Sequence, residues 1–139
     1  MNTYPNFPTL AARSTMRVLS TEETEDHSLE VRTMSGLDLV IVRGWSIAPT
    51  VSEKYADLLQ FISAHLAKKE HLTIYIKYEL FNPLTVKYLF KIIMLLNYQR
   101  TLGHNVKIYW DAGEMMEDML DTGYDLAQFC DFEFKISHS

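Results

Sequence analysis

The chain has 139 residues, 47% of them hydrophobic and 22% charged, with a formal net charge of −5 and a pI near 5.5. That balance fits one globular domain able to bury its own core. The absence of a Lys/Arg excess argues against counterion-releasing attachment to nucleic acid or to an anionic membrane surface.

Residues 1–15 are polar, contain Pro5 and Pro8 and show no period, so they read as a loose lead-in, with one domain over 16–139. Met1–Pro5 has no basic stretch leading into an apolar run, and Tyr88–Leu96 is interrupted by Lys91 and too short for a bilayer. The single cysteine, Cys130, cannot form an internal disulfide, and the expectation is a cytoplasmic protein. Met16–Leu19 suggests a short strand, and Glu22–Asp26 an acidic, solvated turn. Leu29–Arg32 alternates with period two, Ser35-Gly36 signals a turn, and Leu37–Val42 is mostly apolar, which predicts a hairpin.

The period then changes. Tyr55, Leu58, Leu59, Ile62 and Leu66 recur at helical spacing, so Val51–Ala67 is an amphipathic helix. Leu72–Tyr78 is rich in β-branched and aromatic residues and reads as a central strand. Asn82-Pro83 opens a second helix, with Asn as N-cap and Pro at the first helical position, running to about Leu102 before Gly103. Its apolar residues, from Leu84 to Tyr98, encircle it almost completely. Such a ring fits either a central helix covered on both sides or an outer face kept for a partner or a second copy. Val106–Trp110 is the next strand, Glu114–Leu120 a short acidic helix ending near Gly123, and Phe132–Ile136 a last strand. The fold class is α/β: a single domain with a mixed sheet of about five to six strands, an N-terminal hairpin and then β-α-β-α-β-α-β, packed with three helices.

The five glycines are too dispersed for a phosphate-cradling loop, and no nucleophile elbow occurs. The five histidines share no helical face, and His65 reads as a surface residue. Cys130 has no activating cation beside it in sequence. Glu114, Glu117, Asp118 and Asp121 share a helical face, which reads as a solvated acidic surface or a docking site for a partner's Lys or Arg. No catalytic residue, metal site or cofactor is expected. Thr85 lies in the first turn after Asn82, where a phosphate would meet free backbone N–H groups and the positive end of the dipole. The structural counterpart is a threonine that merely bonds back to the backbone.

Three stretches carry a family likeness: Gly44-Trp45-Ser46-Ile47-Ala48-Pro49-Thr50 with the helix after it; Leu80-Phe81-Asn82-Pro83-Leu84-Thr85-Val86-Lys87; and Val106–Trp110 followed by Asp118, Asp121, Gly123 and Asp125. From about Leu29 onward the chain resembles the SiaC-type regulatory phosphoproteins. The second stretch is similar to that family's Tyr-Phe-Asn-Thr-Ser-Ser-x-Lys turn. Pro83 stands where the hydroxyl cluster begins, leaving Thr85 as the hydroxyl of the turn.

The resemblance implies a non-catalytic bacterial signalling adaptor and not an enzyme. Its partners would be a Ser/Thr kinase, a PPM-type phosphatase and a diguanylate cyclase, linking it to cyclic-di-GMP and biofilm formation. Thr85 is the candidate phosphoacceptor; Ser46, Phe81, Asn82, Lys87, Asp118 and Asp121 are the candidate partner contacts. A glutamate at Thr85 is expected to block docking with the fold intact. The alternative is a structural module that dimerises through the second helix, its phospho-switch lost.

Overall fold

A computed structural model describes residues 28–47, 49–113 and 117–137. The strand expected at Met16–Leu19 and the turn at Glu22–Asp26 lie outside them, as does Glu114. The elements are β1 (Leu29–Met34), a single 3₁₀ turn (Ser35–Leu37), β2 (Leu39–Ser46), α1 (Val51–Leu66), β3 (His71–Phe81), α2 (Pro83–Thr101), β4 (Asn105–Asp111), α3 (Glu117–Ala127) and β5 (Glu133–Ser137). The described residues form a single α/β domain of five strands and three helices.

β1 and β2 form the expected antiparallel hairpin, with Val31 opposite Val42. The tight reversal places Asp38 in the left-handed region, φ 54°, which the short Asp side chain tolerates better than a branched one. β2, β3, β4 and β5 are all parallel, in the spatial order β1-β2-β3-β4-β5.

Three crossovers taken in the same direction and with the same right hand put all three helices on one face of the sheet. Burial follows that geometry. Val40 and Val42, Leu72, Ile74, Ile76 and Tyr78, and Val106, Ile108 and Trp110 are buried, whereas the residues between them are part-exposed or exposed. The core is therefore a single layer between sheet and helices, closed by Tyr55, Leu58 and Ile62 from α1, Leu89, Ile93 and Leu96 from α2, and Met119 and Leu126 from α3.

The apolar ring of α2 resolves into three zones. Leu89, Ile92, Ile93 and Leu96 face the sheet, Tyr88, Phe90 and Leu95 are half-covered by neighbours, and Leu84, Met94 and Tyr98 stay 42%, 51% and 59% exposed.

Two expectations need correction. Gly123 does not end α3 but sits inside it, because a side chain there would collide with Trp110: a Cβ would lie 2.5 Å from the indole Cδ1 and Nε1. His65 is not on the surface. It is buried where α1 closes over the starts of β2 and β3, with Nε2 2.9 Å from Asp38 Oδ1 and 3.0 Å from the His71 carbonyl.

Candidate functional site

The C-terminal edge of the parallel strands gathers the residues that sequence spacing singled out. β3 ends in Phe81, and Asn82, in extended conformation, caps α2: its Oδ1 accepts the Thr85 N–H at 3.1 Å. Pro83 follows at the first helical position, where no backbone N–H is required. The local sequence thus dictates a sharp strand-to-helix turn with its donors already partly satisfied.

Beneath the turn lies a buried chain of hydroxyls from four elements. Tyr78 OH is 2.7 Å from Tyr55 OH, Tyr55 OH is 2.7 Å from Ser46 Oγ, and Ser46 Oγ is 2.6 Å from Thr85 Oγ1. Thr85 Oγ1 in turn donates to the Ser46 carbonyl at 2.7 Å, with Asn82 Oδ1 farther off at 3.3 Å. Each hydroxyl owns one proton, so the carbonyl at the end sets the direction. Protons point from Tyr78 to Tyr55, to Ser46, to Thr85 and finally to the backbone. The opposite direction would leave Tyr78 without an acceptor among the described residues. Burial raises the Tyr55 pKa, and it raises that of Tyr78 strongly, with the neighbouring Tyr55 adding to the effect, so both stay neutral donors.

Two expected roles change accordingly. Thr85 and Ser46 are both 0% exposed. Ser46 therefore makes no surface contact, and Thr85 is no accessible hydroxyl in the closed turn; both are spent holding β2, α1, β3 and α2 together. A glutamate at position 85 would push a carboxylate into this buried network, so the expectation of an intact fold is withdrawn.

Phe81, Asn82, Asp118 and Asp121 do converge. With Leu80 and Pro83 they line an open groove of about 480 Å³ between the start of α2 and the start of α3. Lys87 is exposed one turn farther along α2 and lies outside the groove lining. Beyond the groove, α2 exposes Leu84, Met94 and Tyr98 on a face that also carries Lys87 and Lys91.

α3 is set against the sheet by Trp110, whose Nε1 donates to the Met119 carbonyl at 2.7 Å. That bond and the bare Gly123 fix where Asp118 and Asp121 stand. Sequence reasoning did not assign Tyr55, Tyr78, Trp110 or Gly123 to the site. The available signal was tyrosine rather than phenylalanine at two buried positions, because a buried hydroxyl needs a partner.

No cluster of three or more His, Cys, Asp or Glu side chains suited to a metal occurs among the described residues, and none of their helices is long and apolar enough to cross a membrane. Cys130 is half-buried, its Sγ donating to the Leu126 carbonyl, and burial beside Asp131 pushes its thiol up to about 12, leaving no thiolate for nucleophilic chemistry at neutral pH.

The fold is similar to that of apo-SiaC from Pseudomonas aeruginosa (TM-score 0.72, 16% identity, 89% of this chain and 98% of that one). It is equally similar to a chain in the crystal structure of the diguanylate cyclase SiaD in complex with its activator SiaC, from the same organism (TM-score 0.72, 14% identity, 82% and 94% covered). A further SiaC structure from that organism matches at TM-score 0.68 and 14% identity, over 91% and 99% of the two chains. No curated protein is matched by sequence. The family model described as SiaC family regulatory phosphoprotein matches residues 22–139, and the chain accordingly belongs to that family.

Proposed function

We propose that this protein is a non-catalytic cytoplasmic adaptor whose groove at Leu80–Pro83 and adjoining stripe on α2 dock a partner enzyme of the diguanylate cyclase class. The observation that carries the reading is the groove itself. Its apolar Leu80 and Phe81 lie beside the carboxylates Asp118 and Asp121. The adjoining face of α2 exposes Leu84, Met94 and Tyr98 interspersed with Lys87 and Lys91, a mixture suited to a partner presenting an apolar helix face edged with charged residues. Family membership supports the regulatory role, and the complex of the diguanylate cyclase SiaD with its activator SiaC supports the partner class.

Regulation by a kinase and a PPM-type phosphatase would act at Thr85. Since that hydroxyl is buried, a kinase must meet the first turn of α2 opened, and a phosphate would hold it open, because two negative charges cannot return to the hydroxyl chain. The unmodified, latched turn is the docking form.

The test is binding of a purified diguanylate cyclase from the same host by calorimetry, with wild type and with Asp118→Lys/Asp121→Lys. Loss of binding in the variant, with the fold retained by circular dichroism, supports the groove; equal affinity refutes it. A second reading rests on the same stripe. Leu84, Met94, Tyr98 and Leu102, all exposed, also suit a homodimer. Light scattering across a concentration series separates the two.

A further inference from the structure

The face of the sheet opposite the helices is uncovered among the described residues, and its charge runs against that of the chain. In regular register it presents five cations, Arg32, Arg43, Lys77, Lys107 and Lys135, against the carboxylates Glu30, Asp111 and Glu133, in a protein whose formal net charge is −5. Its middle row is Arg32, Ile41, Tyr75, Tyr109 and Lys135, side by side on successive strands.

The carboxylates of that face are already engaged. Glu30 is held by Arg43 at 2.6 Å and Arg32 at 2.7 Å, Asp111 accepts the Tyr75 hydroxyl and the Gly113 N–H, and Glu133 lies 3.9 Å from Lys107. Among the described residues Lys77 has no ion pair, and Lys135 meets the ring of Tyr109 at 5.8 Å. Glu79 falls at the step where the β2–β3 register shifts between Gly44 and Trp45, outside the regular rows.

We propose that this open face docks the chain's own acidic segment, Glu22-Glu23-Thr24-Glu25-Asp26. Three observations carry it. The segment places four carboxylates within five residues, complementary to the excess of cations on the face. It precedes Leu29, which pairs with Gly44, so it joins the sheet at the end where Arg43 and Lys77 stand. And it has the right reach: at roughly 3.4 Å per residue, Asp26 lies within about 10 Å of Leu29 and Glu22 within about 24 Å. The span from β1 to β4 is about 14 Å at the usual strand spacing. A tether this short keeps the acidic run at high local concentration over the face, so contacts that are individually weak suffice to hold it. The contact is electrostatic and must weaken with salt.

The full-length protein is acetylated briefly with N-hydroxysuccinimidyl acetate and each lysine's labelling read by mass spectrometry. It is compared with the full-length variant Glu22→Gln/Glu23→Gln/Glu25→Gln/Asp26→Asn. Lys87 and Lys91, on the helical side, are internal references. The expected result is that labelling of Lys77 rises about threefold in the variant, that 0.5 M salt (an assay condition on the order of the strongest physiological screening) reproduces the rise in wild type, and that the references do not move. Equal labelling of Lys77 in wild type and variant overturns the proposal. So does protection that persists in the variant and grows with protein concentration, which would assign the face to a second copy.

Discussion

Replacing Thr85 by valine removes one oxygen from the centre of the site and almost no volume. The hydroxyl of Ser46 then has no acceptor; if the whole chain reverses, the orphan moves to Tyr78 instead, so one buried donor is stranded either way. The Ser46 carbonyl loses the Thr85 hydroxyl proton as well. A stranded buried donor costs about 1–3 kcal/mol, against a gain of under about 1 kcal/mol for the extra apolar burial. The net expectation for Thr85→Val is a loss of about 2 kcal/mol. Thr85→Ser keeps the hydroxyl and removes a buried methyl, which costs about 1 kcal/mol. Urea denaturation followed by tryptophan fluorescence, with unchanged slope, gives both values. The two mechanisms predict opposite orders: hydroxyl-dominated stability makes valine the worse variant, packing-dominated stability makes serine the worse one. A valine variant at least as stable as the serine variant refutes the directional hydroxyl chain.

Gly123→Ala gains about 1 kcal/mol of helix propensity, but its Cβ would sit 2.5 Å from the Trp110 ring. Overpacking of about 1–3 kcal/mol and strain on the Trp110–Met119 bond of about 1 kcal/mol outweigh that gain; thermal melting should show a lower Tm, and an unchanged or raised Tm would count against the close packing. Tyr75 is pushed up to about 12 by burial and then by its bond to Asp111. Its proton therefore stays on in the folded chain above the ordinary tyrosine value, and the contribution to stability is complete below about pH 10 and lost as pH rises through about 12. An ultraviolet alkaline titration should show several late-ionising tyrosines, Tyr55, Tyr75 and Tyr78, of which Asp111→Asn moves one toward the ordinary value, and no movement would separate the pair. Met94→Glu/Tyr98→Glu should leave urea stability within about 0.5 kcal/mol, since both side chains are exposed, while abolishing partner binding; retained binding would take the stripe out of the interface.

Much of this was legible in the sequence because local rules and tertiary packing agree. The Asn82-Pro83 cap, the hairpin at Ser35-Gly36 and the β-branched and aromatic run Leu72–Tyr78 each announce their element through local chemistry. Gly123 misled for an equally physical reason: glycine marks helix ends, yet here it marks contact with Trp110, a residue thirteen positions away. Phe81, Asn82, Asp118 and Asp121 were named through the family likeness, and it is the fold that brings the end of β3 and the starts of α2 and α3 to one groove. The burial of Ser46 and Thr85 was not. A hydroxyl in a first helical turn looks alike whether it faces water or a tyrosine from another strand, and only the packing of α1 onto β3 decides which.

The order of strands in space repeats their order in the chain. No strand has to wait for a later one to be inserted between itself and its neighbour. A polypeptide leaving the ribosome could lay β2 on β1, pack α1, and close each crossover as it emerges, with loop-closure costs kept small throughout. The assembly has a ragged moment only at β3, whose Tyr78 hydroxyl is buried against Tyr55 before α2 arrives with Thr85 to terminate the chain of protons. The residue that latches the turn between β3 and α2 is thus also the one that completes the half-built hydroxyl chain.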